Sequence, residues 1–278
     1  MPELPELQAH AERLDEAFGG AVLAGFRPIT FTALKTFRPD PADAVGQRVG
    51  PFGHRGKHLL VAAGPITFVV HLMQGGRLVP DEKQSAKPRN GIARWTFEDG
   101  RALLLTEPGT ERKAGVWVVE GDPEGQAPLE GLGPDADALD VDGWAAVLAE
   151  RTGRLHGVLR DQSAVAGIGR RLANEICHRA KLSPFASAAK LDADQVGALA
   201  SAAAACIAGS LAEERGRDHL ARSSERSGAV HHHVGDACPV CGDTVRAVEY
   251  RAYTVAYCPT CQTGGKVLAD NTTSKFLK

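Results

Sequence analysis

A chain of 278 residues with 43% hydrophobic content is long enough to bury a sizeable core and to divide into two domains. No run of about 18 apolar residues stands out, which argues against a membrane span, and the start MPELPELQAHAERLDEAF has acids where a secretory signal has a basic patch and an apolar run. A cytoplasmic protein with no membrane partner is expected. The net charge of −2 is unevenly spread, −7 over residues 1–150 and +5 over residues 151–278, so local patches rather than the total decide whether a polyanion is bound.

In chain order, residues 3–18 predict a helix, with Leu7, Leu14 and Phe18 near helical spacing. Short β-rich runs follow (AVLAGFRPITFTAL, KHLLVAAGPITFVVHL, ARWTFEDGRALLLTE), in which Ala63-Gly64-Pro65 and Asp99-Gly100 mark hairpins. Residues 114–150 contain nine acids and no Lys or Arg, a run suited to solvent away from a polyanion. Within it, the Gly-, Pro- and acid-rich stretch from 122 predicts a surface linker. The pattern then turns helical (DGWAAVLAERTG, LHGVLRDQ, RRLANEICHRAKL, DADQVGALASAAAACIAGSLAEE), and residues 215–228 are polar and expected to be mobile. The expected domains are 1–121 (N-terminal helix and β-sandwich), 122–141 (acidic linker), 142–230 (helical) and 231–278 (a metal-clipped β unit and tail).

Six cysteines in a reducing compartment point to metal rather than disulfides. Cys238-Pro-Val-Cys241 and Cys258-Pro-Thr-Cys261 form two C-x2-C knuckles 16 residues apart, the ligand set of a closed tetrahedral site that suits one structural Zn2+ and leaves no position open for chemistry. Cys177 and Cys206 lie in apolar helices and read as buried small hydrophobes. The run His231-His232-His233 is read as an exposed polar segment or a phosphate contact.

In LRDQSAVAGIGRRLANEICHRAKLSP, a helix, a Gly-Ile-Gly turn and a second helix follow one another. That second helix starts with Arg170 and Arg171, whose charges add to the unpaired N–H groups of a helix N-terminus, a setting that suits phosphate. Packed core helices with solvated arginines are the plainer alternative. Similarly, Pro2-Glu3-x-x-Glu6 alone is an ordinary helix start.

Three blocks together, MPELPE at 1–6, DQSAVAGIG before Asn174-Glu175, and the four-cysteine ribbon, resemble the formamidopyrimidine-DNA glycosylase and endonuclease VIII family. GHRGKHLL around Lys57, HLMQGGRL from His71 and LGP at 132–134 are similar to further family segments. The resemblance implies an α+β multidomain protein: an N-terminal helix plus β-sandwich, a helix–two-turns–helix domain and a C-terminal zinc ribbon, gripping damaged double-stranded DNA as a monomer. It implies a bifunctional DNA glycosylase and abasic-site lyase of base excision repair that removes oxidised bases. Removal of Met1 leaves Pro2 with a free amine, which titrates near neutrality and attacks C1′. Glu3 is the implied general acid–base, Glu6 positions it or shuttles protons, and Lys57 contacts phosphate and assists elimination. Gln74 and Arg112 are the implied wedge and opposite-base readers; Arg77, Arg170, Arg171, Arg251 and Tyr253 are further implied DNA contacts.

The chain departs from the family at several points, among them a wedge loop without the family's Arg-x-Phe arrangement. Arg170 stands where an Asn is usual, and Tyr253 stands where the ribbon hairpin usually offers Arg, with Arg251 expected two residues earlier on the same strand face. The tail past Cys261 adds Lys266, Lys275 and Lys278 as possible DNA contacts. These changes leave open a catalytically silent or abasic-lyase-only damage binder. The lesion stays open between oxidised purine and pyrimidine, with a slight inclination to pyrimidine because residues 215–228 show no clear purine-capping loop.

Overall fold

The computed structural model describes residues 1–110, 112–251 and 253–268; Lys275 and Lys278 lie outside the described residues. Two compact units emerge, Met1–Gly131 with Arg217–Leu220, and Leu132–Gly216 with the residues from Ala221 onward.

In the first unit, helix α1 (Leu4–Phe18) has Glu3 as N-cap and Pro5 in its first turn, where a missing N–H costs nothing. Leu7, Ala11, Leu14 and Phe18 recur at helical spacing and are buried in one core cluster with side chains from both sheets. The helix is also tied to the sheet by a polar contact, the Phe52 N–H donating to Asp15 Oδ1 at 2.8 Å. Eight strands follow: β1 (Leu23–Pro28), β2 (Val49–Arg55), β3 (His58–Ala63), β4 (Ile66–His71), β5 (Arg77–Pro80), β6 (Gly91–Phe97), β7 (Ala102–Thr106) and β8 (Gly115–Glu120). They form two four-stranded antiparallel sheets, ordered β1-β6-β7-β5 and β2-β3-β4-β8. Phe68 and Trp95, one from each sheet, meet edge to face at 5.8 Å, a geometry worth about 0.5–1.5 kcal/mol beyond burial. Both expected hairpins are present, with Gly64 and Gly100 at positive φ.

The second unit holds α2 (Val141–Ala149), α3 (Leu155–Arg160), α4 (Arg170–Arg179) and α5 (Ala193–Arg215), then β9 (Arg246–Glu249), β10 (Thr254–Tyr257) and the short α6 (Pro259–Thr263). The turns between α3 and α4 are built around Gln162. Its amide donates to the carbonyls of Arg160 and Ile168, both at 2.9 Å, and accepts from the Gly167 N–H at 3.0 Å. Gly133 packs against these turns so closely that a Cβ there would sit 2.4 Å from the Ala164 carbonyl oxygen, which explains the glycine of the LGP motif.

Two expectations need correcting. By length and composition α5 is apolar enough to cross a membrane. Its apolarity comes mostly from alanines, and its buried positions Val196, Leu199, Ala203 and Ile207 belong to a helix packed against α2 and α4. Residues 215–228, expected to be mobile, are anchored. Leu220 is buried in the sandwich core, Arg226 Nη2 donates to the Ala221 carbonyl at 2.9 Å, and Glu214 accepts from the Ala221 N–H at 2.9 Å. A polar segment looked loose because its apolar anchor, Leu220, is a single residue, below the reach of periodicity.

Candidate functional site

The N-terminus of the first unit brings the carboxylates expected for acid–base work into a buried setting. Glu3 and Glu6 are 4% and 1% exposed, Pro2 is buried beside them, and the Glu3 N–H donates to Glu6 Oε2 at 2.7 Å. Glu6 therefore holds the backbone of residue 3, and with it the direction in which Pro2 leaves the helix.

Lys57 sits in the tight β2–β3 turn after Gly56, which takes positive φ. Its charge and that of the chain terminus both reach His71, at the end of β4. Burial above all, then Lys57 and the terminus, lower the His71 pKa to about 4. His71 is thus a neutral imidazole, and its Nδ1 accepts from the Met73 N–H at 3.1 Å. Directly across the strand pair lies His58, its ring edge-on at 4.8 Å. Burial, followed by His71, pushes the His58 pKa down to about 3. Sequence reasoning assigned neither histidine a role. The signal was present: His58 and His71 are equidistant from the Gly64-Pro65 turn, so a hairpin register pairs them.

Buried neutral imidazoles bind protons more readily once unfolded, since the unfolded pKa is about 6.5 and the folded values are about 3 and 4. Their stabilisation is complete above about pH 6.5 and is lost as pH falls toward the folded values. The melting temperature should decline between pH 7.5 and 5, and less steeply in His58→Phe; a flat profile would mean that these rings are hydrated in solution.

The candidate wedge segments meet at one cavity of about 390 Å³, lined by Met1, Met73, Gln74, Glu107, Arg112 and Lys113 among others. Gln74 and Arg112 are exposed, while Met73 and Arg112 take left-handed φ values of 53° and 38°, a strain that persists only where surroundings impose it. Glu107 is buried and accepts from the Ala114 N–H at 2.6 Å, closing the loop that carries Arg112. Arg77 is more inward than expected for a DNA contact: its guanidinium donates to the Gly76 carbonyl at 2.7 Å and helps to depress the pKa of buried His10.

In the second unit, Arg170 is exposed at the first position of α4, after Gly169 as N-cap. Arg171 differs from expectation. It is 6% exposed and donates to Ser210 Oγ on α5 at 3.0 Å, because the next residue on a helix turns about 100° and here faces the neighbouring helix. Glu175 accepts from the N–H groups of Ala229, Val230 and His231 at 2.7, 3.1 and 2.8 Å, clamping the chain as it enters the ribbon. Asn174 is fully buried and bonds His231 at 2.9 Å. Only His232 and His233 of the histidine run are exposed.

The Sγ atoms of Cys238, Cys241, Cys258 and Cys261 all lie within 4.8 Å of one another, so one ion with metal–sulfur bonds of about 2.3 Å fits among them. His178 on α4 brings Nε2 to 3.3 Å from Cys238 Sγ, the outer-shell contact that orients a ligand. Cys177 is buried and Cys206 half-buried. Burial raises the Cys206 thiol to about 11 and Cys177 further, so both stay protonated, as packing residues do. On the ribbon hairpin, Tyr253 is half-buried. Arg251 is exposed in the turn closed by the Tyr250 N–H bonding the Tyr253 carbonyl at 2.9 Å. Strand alternation does not extend through that turn, so the expected shared strand face is absent. Lys266 is exposed after α6.

Comparison with known proteins matches residues 1–117 to the formamidopyrimidine-DNA glycosylase N-terminal domain and residues 131–220 to the H2TH domain of the same enzymes. A formamidopyrimidine-DNA glycosylase of Magnetococcus marinus is 30% identical over 94% of this chain and 99% of its own length. An uncharacterized formamidopyrimidine-DNA glycosylase-like protein of Mycobacterium tuberculosis is 46% identical over 53% of this chain and 94% of its own. Among solved structures, the MutM (Fpg) protein of Thermus thermophilus superposes with a TM-score of 0.81 at 27% identity, covering 96% of this chain and 100% of that one. Lactococcus lactis Fpg in complex with abasic-site DNA shares the fold, with a TM-score of 0.81 at 19% identity over 94% and 99% of the two chains.

Proposed function

The chain belongs to the formamidopyrimidine-DNA glycosylase family, and we propose that it is a bifunctional glycosylase and abasic-site lyase that removes oxidised bases from double-stranded DNA through its own N-terminal proline. The observation that carries this reading is the clustering at one end of the sandwich: buried Glu3 and Glu6 beside Pro2, with Lys57 and the chain terminus both acting on neutral His71.

With Met1 removed, the Pro2 amine attacks C1′ and displaces the damaged base, forming a cationic imine after ring opening. The imine acidifies the C2′ proton; its removal sends the electron pair toward C2′–C3′ and expels the 3′ phosphate, cutting the strand. Glu3 shuttles protons at the sugar, Glu6 holds residue 3 in register, and Lys57 contacts a phosphate near the leaving oxygen. A base reaches Pro2 only after leaving the stack; Gln74 and Arg112 fill the gap, and Arg170 and Arg251 add phosphate contacts. Arg171 contributes by bracing α4 against α5. The four cysteines hold one Zn2+, which fixes the ribbon and leaves no coordination position for substrate.

Borohydride reduction in the presence of damaged or abasic duplex tests the reading: a covalent adduct on the N-terminal peptide is expected. Glu3→Gln should bind duplex like wild type while base excision falls by about 10²–10⁴-fold. Tight binding with no adduct on any lesion would favour the silent damage binder that Tyr253, in place of the usual hairpin Arg, leaves open.

A further inference from the structure

Arg160 closes α3, and its guanidinium carbon lies 4.1 Å from the centroid of the Tyr253 ring on the ribbon hairpin. The same ring has Tyr250 nearly parallel at 4.7 Å and His156 nearly parallel at 6.2 Å. His156 and Arg160 are four residues apart, so one face of α3 meets the hairpin tip with both side chains. Helix α3 is itself packed against α4. Arg160 is half-buried, yet among the described residues its guanidinium has no hydrogen-bond or ion-pair partner beyond this ring. His156, four residues earlier, is itself held neutral by burial and by the Arg160 charge.

The Arg160 guanidinium nitrogens are not among the buried side-chain atoms left without a partner, so they stay open to solvent, where an anion can replace water. Stacking on tyrosine satisfies only the π face of the guanidinium. Its N–H edge stays in plane, in the fork geometry that matches two oxygens of a phosphodiester. We infer that Arg160, held flat on the Tyr253 ring, forms a phosphodiester-binding site for the DNA backbone, with Tyr253 acting as a positioning residue rather than as a ligand. This site rests on the proposed reading of the chain as a DNA-binding repair enzyme and adds to it a cation outside the GIG turn and the ribbon strands.

The test measures affinity for a duplex carrying a tetrahydrofuran abasic analogue across a salt series, using the full zinc-loaded chain. Arg160→Met should weaken binding about tenfold or more and flatten the slope of log K against log salt by about one. Arg160→Lys should recover the slope but only part of the affinity, since an ammonium keeps the charge without the planar fork. Tyr253→Phe should behave as wild type, and Tyr253→Ala should lose affinity because the guanidinium loses its platform. An unchanged salt slope in Arg160→Met overturns the site even if affinity falls, since a merely structural loss removes no phosphate contact. Equal losses in Tyr253→Phe and Tyr253→Ala overturn it as well, by assigning the effect to the hydroxyl. These readouts need no turnover, so a chain that binds this way but never forms a borohydride adduct would sink the glycosylase reading and leave the phosphate site standing.

Discussion

A chain carrying one residue ahead of Pro2, either retained Met1 or a glycine left by tag cleavage, is expected to lose borohydride trapping on an abasic duplex by at least about a hundredfold. Two physical effects act together. The Pro2 nitrogen becomes an amide, whose lone pair is delocalised into the carbonyl and is no longer nucleophilic. The replacement amine is displaced by about one Cα step, 3.8 Å, whereas a misplacement of about 1 Å already costs about a hundredfold. It cannot slide back, because the Glu3 N–H is held by Glu6 at 2.7 Å and Glu3 and Glu6 are buried in the first turn of α1. Pro2→Gly keeps an amine at the correct position and should lose less, through the greater backbone freedom of a terminal glycine. Intact mass identifies the terminus in each preparation, and affinity for uncut duplex should not change. Full trapping by the extended chain would show that the adduct forms elsewhere, with Lys57 the first candidate.

Cys258→Ser, or exhaustive chelation, is expected to unfold the ribbon and lower duplex affinity sharply, with one zinc per chain measured in the native protein and less than one in the variant. The buried apolar side chains of this segment are Val230, Val245, Val248, Val255, Ala256 and Tyr257, together with Cys238 and Cys258. Each fully buried aliphatic side chain contributes about 1.5–3 kcal/mol, against about 1–2 kcal/mol of backbone entropy for every residue ordered. So few aliphatics cannot hold the whole segment. A structural zinc site contributes about 10–16 kcal/mol, so a metal held by the four cysteines would be the main reason that β9 and β10 pair. The loss should extend past the ribbon, because Tyr253 rides on the β9–β10 hairpin and His178 contacts Cys238. Retained hairpin structure and affinity in a metal-free chain would mean that the clamp on residues 229–231 by Glu175 suffices.

Much of this protein was legible before folding was considered, wherever a local rule acts through neighbouring residues. The α1 stripe of Leu7, Leu14 and Phe18, the Gly64 and Gly100 hairpins, the Gly169–Arg170 helix start and the two C-x2-C knuckles each follow from spacing within a few turns or strands. The acid pair at Glu3 and Glu6 was legible as a helix start, and only its company in the sandwich distinguishes it from one. Arg171 shows the limit of this: the sequence shows a cation at a helix start but not the angle that turns it onto Ser210.

The amino-acid sequence by itself thus determined the element order, the four-cysteine cluster and the family resemblance, because these depend on covalent spacing and on the periodicity of single elements. Tertiary structure alone decided that Leu220 anchors in the sandwich core, that Lys57 and the terminus act on His71, that Glu175 clamps the entry to the ribbon, and that Arg160 lies on Tyr253. Each of these joins residues far apart in the chain, and their partners are chosen by packing and desolvation, which no local pattern encodes.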